Sequence, residues 1–547
     1  MKDFEKIAKL LYPNLKHDSA YYEEKYPKRD LPKGAEVTRF APSPTGYLHI
    51  GGFYQALVDS KVAKESNGVF YFRLEDTDKK REVDGASDIA LKVLKEYGVV
   101  PMEGLMLGGE EVGAYGPYIQ SERRDVYDAF AYELVKSGRA FPCFCAKSEN
   151  KEDIEERREQ MLKENATILE HDSCRDLSDE KIECKIKEGK PWALRLKSLN
   201  NEGDKIRIVD AVLGEREIPA NTKDIVLIKS NGLPVYAFAH AIDDHLMRTT
   251  LVVRGAEWFP SLSAHLEVFE ALGFEKLRYA HTGLISKIDN GNKRKLSKRK
   301  DPEANMSYFL ENGYPKEAVV DYVMNLANSN FEIWRKQNPN ASIDEFHFDV
   351  KKLNISDPMF DMVKLGDVSK NVISYMSASE VYDRLVDWAS EYDKEFFETI
   401  TARKDYVLGM LSIGRGGVKP RKDIAKMSEV KNHFAYMFDN DFEYDYDEKF
   451  TSEQINSVID EFLKTYDIGD DSDVWFAKMK EACEKIGFCS DMKEYKKEPS
   501  KYIGSVADFS TIIRVAITGR RNSPDLCPLM KLLGLSEVIS RFARAKR

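Results

Sequence analysis

The 547-residue chain is 42% hydrophobic and 32% charged and carries a formal net charge of -10. That is the composition of a soluble, multi-domain globular protein, and it excludes a chain that coats nucleic acid indiscriminately, because non-specific affinity comes from neutralised phosphates. Seven cysteines, an odd and sparse set, fit reduced thiols or a metal site rather than a disulfide framework. No apolar run is long enough to span a bilayer, and "MKDFEKIAKLLYPNLK" lacks the apolar core and cleavage site of a signal peptide, so a cytoplasmic protein with no membrane partner is expected.

Residues 1–33 read as a Lys- and Tyr-rich lead-in of a helix and loops, ending at the Pro32-Lys33-Gly34 breaker. Next come a strand in "AEVTRF", a helix in "GGFYQALVDSKVAKES", a stop at Asn67-Gly68 and a second strand in "VFYFRLED". This βαβ pattern predicts a parallel sheet whose ligands sit beyond the carboxyl ends of its strands. A mixed segment, 116–228, carries four of the cysteines and reads as an insertion that splits the sheet. A strand at Ile225 to Lys229 meets a turn, and "TTLVVRGAEW" is another strand with an arginine at its end. Beyond about residue 350 the pattern is helical, with a helix start at Ser523-Pro524 and a stop at Gly534. The acidic "DNDFEYDYDEKF" is expected to face away from RNA, and basic clusters such as "GRGGVKPRK" and "TGRR" read as solvated loops when taken singly.

A glycine where a strand becomes a helix allows close backbone approach, and exposed N–H groups at a helix start attract anions. His49, two residues before Gly51, can donate there to charge developing on a phosphate. Taken alone, it reads as a capping or packed histidine. In "RKLSKRK" Ser297 lies between Lys295 and Lys298, near Asn-Gly turns. Mobile ammonium groups on such a loop can follow charge as it moves to pyrophosphate, although alone the loop reads as an exposed basic one.

Together, "YLHIGG" after a strand and "KLSKR" about 250 residues later resemble the paired signatures of class I aminoacyl-tRNA synthetases. The wording "RFAPSPTGYLHIGG", "FRLEDTD", "PVYAFAHAIDDHLM", "VVRGAEW" and "KLSKRKD" is similar to that of bacterial-type glutamyl-tRNA synthetases, where the glutaminyl enzymes show "PEPNGYLHIGH". Gly52 stands where many class I enzymes have a second histidine, and Leu296 replaces a methionine. The resemblance is strong from about 37 to 330 and continues in phrases such as "AITGRRNSPDL". It implies an α/β fold: a Rossmann-like parallel-sheet catalytic domain in two halves, 34–115 and 229–270, split by an α/β insertion, 116–228, that binds the tRNA acceptor end. A stem-contact region with the KLSKR loop, 271–350, and an all-α anticodon-binding region, 351–547, would follow.

Glutamate brings two carboxylates, so its pocket should be rich in cations; Arg39 ends the first strand and Arg254 a later one, and a guanidinium fork matches a carboxylate in two places. The resemblance implies that Arg39, Tyr236 and Arg254 hold the carboxylates and that Glu75 and Ser43 hold the ammonium. His240, where the family has an asparagine or a small residue, either reshapes this pocket or packs behind it. The alternative for both arginines is pairing with acidic neighbours such as Asp76 or Glu257. For ATP with Mg²⁺ the resemblance implies His49, Gly51, Lys295, Ser297 and Lys298, with Glu257 and Trp258 around adenosine; His49, Lys295 and Lys298 would assist the chemistry. The implied reaction runs through a glutamyl-adenylate to tRNA(Glu) and needs no protein nucleophile, with tRNA(Gln) left open as a second substrate.

"CFC" supplies Cys143 and Cys145, and Cys174 follows in "HDSCRDL", where some family members bind zinc. Asp176 stands at the place expected for the fourth ligand, a histidine, leaving His171, Cys184 or Asp176 to complete a tetrahedron. Rival readings are a glutaminyl-tRNA synthetase, a non-catalytic tRNA-binding relative and a truncated relative that modifies a tRNA base; the long helical C-terminal region argues against the last. The chain is expected to act as a monomer.

Overall fold

The computed structural model describes residues 2–78, 82–145, 172–439 and 441–546. They form two compact units, Met1–Tyr308 with Val320–Asp361, and Phe309–Val319 with Met362–Arg547. Residues 146–171, His171 among them, lie outside the described residues.

In the first unit the lead-in folds as two helices, α1 (Phe4–Leu11) and α2 (Ser19–Lys25), each started by an aspartate: Asp3 accepts from the Lys6 N–H and Asp18 from the Tyr21 N–H. The predicted βαβ unit follows as β1 (Val37–Phe40), α3 (Ile50–Glu65) and β2 (Val69–Phe72), with β1 and β2 parallel from Val37↔Val69 to Phe40↔Phe72. Every residue of both strands is buried, as in a parallel sheet covered on both faces. The stop after α3 is steric. Asn67 takes φ 54°, and a Cβ on Gly68 would fall 1.9 Å from the Glu36 carbonyl oxygen. After α4 (Ala86–Glu96), β3 (Glu103–Leu105) extends the sheet in parallel and β4 (Glu111–Val112) closes it antiparallel.

Beyond α5 (Arg124–Lys136), β5 (Ala140–Cys143), β6 (Ala193–Leu196) and β9 (Val226–Ile228) make a separate antiparallel sheet. Between β6 and β9 lies a hairpin of β7 (Lys205–Asp210) and β8 (Gly214–Pro219). Parallel strands resume with β10 (Leu251–Gly255) and β11 (Arg278–Thr282), and β7, although inside the expected insertion, pairs with β11 at Asp210↔Tyr279. Thr250, just before β10, ties the two halves together: its N–H donates to the Val37 carbonyl at 2.9 Å and its hydroxyl accepts from the Val37 N–H at 2.8 Å. The hairpin β12 (Ser286–Asp289) and β13 (Asn292–Lys295) turns at Asn290 and Gly291, with φ 50° and 79°, as two-residue hairpin loops require. It delivers the lysine loop.

The second unit is helical and contains Ala378–Tyr392, Ser452–Thr465 and Val506–Thr518, each opened by a capping box, at Ser377, Thr451 and Ser505. Its apolar core includes Leu385, Val407, Ile459, Phe509 and Phe542, all fully buried. The last two helices, Leu526–Leu533 and Leu535–Ala545, are divided at Gly534, which takes φ 83°. The expected start at Ser523-Pro524 is corrected to Asp525. The Ser523 hydroxyl is engaged by Nη1 of Arg514 at 2.5 Å, and the Asp525 carboxylate instead accepts from the Cys527 N–H.

Candidate active site

A cavity of about 260 Å³ opens at the carboxyl ends of β1 and β10, and its wall includes Arg39, Ser43, His49, Glu75, Tyr236, Arg254, Trp258 and Lys298. Arg39 and Arg254 are each the last residue but one of their strands, which Thr250 ties together at Val37, and both line this cavity. Two strands more than 200 residues apart in sequence thus build one wall.

Neither arginine takes Asp76 or Glu257 as partner. Nε of Arg39 donates to both carboxylate oxygens of Asp244 at 3.2 Å. Asp244, on the helix Tyr236–Leu246, also accepts from Nη1 of Arg73 at 2.7 Å and from the hydroxyls of Tyr71 and Thr249. Burial alone would raise this carboxyl, but Arg39 and Arg73 hold it well below the usual carboxylate range. Glu75 accepts from Nη2 of Arg73 at 3.0 Å; burial raises its carboxyl, opposed by Arg73 and Arg39.

Arg254 is held differently: its Nε donates to Nε2 of His281 at 3.0 Å and its Nη1 to Nδ1 of His265 at 2.9 Å. His240 is not part of the cavity wall, in keeping with the packed alternative. It is fully buried, with Nδ1 bonded to Asp244 and Nε2 3.1 Å from the Tyr279 hydroxyl, and it stacks beneath Tyr236 at 5.2 Å between ring centroids. Burial lowers its pKa to about 4, so the imidazole is neutral and packs behind the wall.

At the opposite wall His49 is the N-cap of α3, and its Nδ1 accepts the Gly51 N–H at 2.9 Å. The ring proton is therefore on Nε2, and the ring also hydrogen-bonds the Leu296 backbone in the basic loop. Burial, helped by Lys298 and Lys295, lowers the His49 pKa to about 4. The Gly51 N–H is thus engaged by the histidine. In the basic loop Leu296 is 2% exposed. Nζ of Lys298 donates to the Tyr47 carbonyl at 3.0 Å and lies over the Tyr47 ring, while Lys295 pairs with Glu257 at 3.1 Å. The Ser297 N–H donates to Asp301 at 2.8 Å. Trp258 packs against Tyr236 with centroids 4.5 Å apart. Gly51, Glu257, Lys295 and Ser297 are not part of the cavity wall.

A family model described as tRNA synthetases class I (E and Q), catalytic domain, matches residues 36–359, and one described as anticodon binding domain matches 380–546. Glutamate–tRNA ligases of Clostridium perfringens (strain 13 / Type A) and Acetivibrio thermocellus are each 43% identical to this chain over 98% and 99% of its length and the whole of theirs. The chain belongs to the glutamate–tRNA ligase family of class I synthetases. The solved structure of a glutamate tRNA ligase from Elizabethkingia meningosepticum in complex with its amino acid matches with a TM-score of 0.72 at 26% identity, covering 93% of this chain and 99% of that one.

In this class I synthetase the thiols of Cys143, Cys145 and Cys174 converge, all within 4.8 Å of one another, with Cys145 and Cys174 3.4 Å apart. Neither Asp176 nor Cys184 joins them among the described residues, and the Cys184 thiol bonds Glu188 instead. Sequence reasoning missed Asp244, Arg73 and Tyr47. Adjacent acids in "AIDDHL" inside an otherwise apolar helix were the available signal for Asp244.

Proposed function

We propose that the chain ligates L-glutamate to tRNA(Glu) at the expense of ATP, through a glutamyl-adenylate, releasing AMP and pyrophosphate. The observation that carries this reading is the convergence of Arg39 and Arg254 on one cavity edge, beside the helix start capped by His49. Two fixed cations suit a diacid. Glutamine would place an amide NH₂ against donors, a buried mismatch that costs on the order of 10⁴-fold in selectivity.

In this reading Arg39, Arg254 and the Tyr236 hydroxyl take the two carboxylates, and Glu75 and Ser43 take the ammonium. The α-carboxylate attacks the α-phosphorus of ATP in line; the P–O bond to pyrophosphate breaks, and the departing charge is met by His49 and by the Lys298 and Lys295 ammonium groups. Mg²⁺ supplies further neutralisation of the phosphates when bound with ATP. The tRNA terminal ribose hydroxyl then attacks the adenylate carbonyl and AMP leaves. Lys295, Ser297 and Glu257 stand outside the cavity wall, so their part is on the ATP side of the loop, with Trp258 against adenosine.

Residues 116–228 would contact the acceptor end and 351–547 the anticodon, in a cytoplasmic protein acting as a monomer. The convergence of three thiols is the donor set zinc prefers, and Cys143, Cys145 and Cys174 would hold it as a structural cross-link in the insertion. Aminoacylation of purified glutamate and glutamine tRNAs, with labelled glutamate and separately with labelled glutamine, tests the function. Charging of tRNA(Glu) with glutamate is expected, and charging with glutamine alone would replace this reading with the glutaminyl one.

A further inference from the structure

Arg39 and Arg73 are held by carboxylates, whereas Arg254 is held by two imidazoles. It is 3% exposed, lies over the Tyr279 ring at 4.7 Å, has an Nη2 with no hydrogen-bond partner, and has no carboxylate within 4.0 Å among the described residues. A guanidinium only donates, so the nitrogens facing it, Nε2 of His281 and Nδ1 of His265, must both carry lone pairs. Both histidines are then neutral and their tautomers are fixed. His281 carries its proton on Nδ1, where Oδ2 of Asp210 accepts at 2.6 Å, and His265 carries its proton on Nε2. Asp210 ends β7 and is itself fixed by the N–H groups of Val212 and Leu213, each at 2.9 Å.

Imidazole acceptors orient a guanidinium without cancelling its charge. A carboxylate in the same place would occupy the fork and compete with an incoming carboxylate. We propose that His265 and His281 are positioning residues that present Arg254 as an uncompensated cation to one carboxylate of the amino-acid substrate, with Asp210 setting the His281 tautomer. The inference rests on the assignment of Arg254 to a substrate carboxylate made above.

The surroundings favour the neutral rings. His265 faces Arg254, His240 and His281 together with the Tyr236 and Trp258 rings, and His281 faces Arg254, Asp210 and Glu257 with the Tyr279 and Phe259 rings. Burial and the Arg254 charge lower both histidines below their ordinary range. Glutamate affinity is therefore retained through that range and lost only as pH falls below it.

Nitrogen NMR of the full chain carrying ¹⁵N-histidine tests the arrangement directly: neutral Nε2–H at His265 and neutral Nδ1–H at His281 are expected near neutral pH, and imidazolium or swapped tautomers overturn it. In parallel, Arg254→Lys and His265→Leu should each raise the glutamate KM about 10-fold or more with the ATP KM held within about twofold, and His265→Gln, which keeps an acceptor, should restore it to within about threefold. An unchanged glutamate KM in Arg254→Lys defeats the assignment of Arg254 and this inference with it. An unchanged KM in His265→Leu alone defeats the positioning role while the assignment stands.

Discussion

Asp244 receives the Nε–H of Arg39 on both carboxylate oxygens at 3.2 Å, with the two side chains 0% and 4% exposed. The same carboxylate serves Arg73, which Glu75 also engages at 3.0 Å, so this anion is shared between two buried cations beneath the cavity. Removing one member of such a pair strands the rest in a medium that solvates them poorly.

Asp244→Asn keeps the shape and deletes that anion. It should cost about 3–5 kcal/mol of stability, read from urea unfolding, and the glutamate KM should rise in the folded fraction because Arg39 loses its anchor. A variant as stable as the parent would mean that Asp244 does not hold the cluster.

His49 gives a pH signature. Its pKa falls from 6.5 to about 4 on folding, through burial with Lys298 and Lys295 nearby. Between these values the unfolded chain binds a proton that the folded chain refuses, so this contribution to stability is complete above pH 6.5 and is lost as pH falls towards 4. His49→Asn keeps a capping side chain and should flatten that part of the stability–pH curve, as measured by thermal unfolding in a buffer series. An identical slope in both proteins would remove His49 from the account.

Lys298 lines the cavity and is parked on the Tyr47 carbonyl, and in the proposed reaction it meets charge that develops only as pyrophosphate departs. Lys298→Ala should slow single-turnover adenylate formation about 10²–10³-fold and leave glutamate binding almost unchanged. Equal losses in binding and chemistry would place the lysine on the amino acid instead.

Protein purified without chelators should contain about one zinc per chain, and Cys145→Ser should lower that content sharply. Metal analysis reads both. A zinc-free parent with three alkylatable thiols would make the cluster a packed remnant.

The local pattern made part of the fold legible: the βαβ unit and the Asn67-Gly68 stop follow from periodicity and from a turn that asparagine and glycine tolerate. The site was legible where a residue sits at a strand end or helix start, as Arg39, Arg254 and His49 do. What stayed hidden is what pairing across long separations decides. Arg39 was given neighbours near it in sequence or motif, yet its partner is 205 residues away. The attachment of β7 to β11 places Asp210 beside His281, 71 residues on, a relation no window along the chain contains. The sequence left His240 open between reshaping the pocket and packing behind it. Only the packing of Tyr236 over it shows that it faces inwards.

The central claim is that two guanidinium groups meeting at one cavity select a diacid for activation. ATP–pyrophosphate exchange in the presence of tRNA(Glu), run with glutamate and with glutamine on the parent, Arg39→Gln and Arg254→Gln, tests it most directly. Exchange in the parent should favour glutamate by on the order of 10⁴-fold and collapse in either variant. Comparable exchange with both amino acids, or full glutamate-dependent exchange after loss of either arginine, would contradict it.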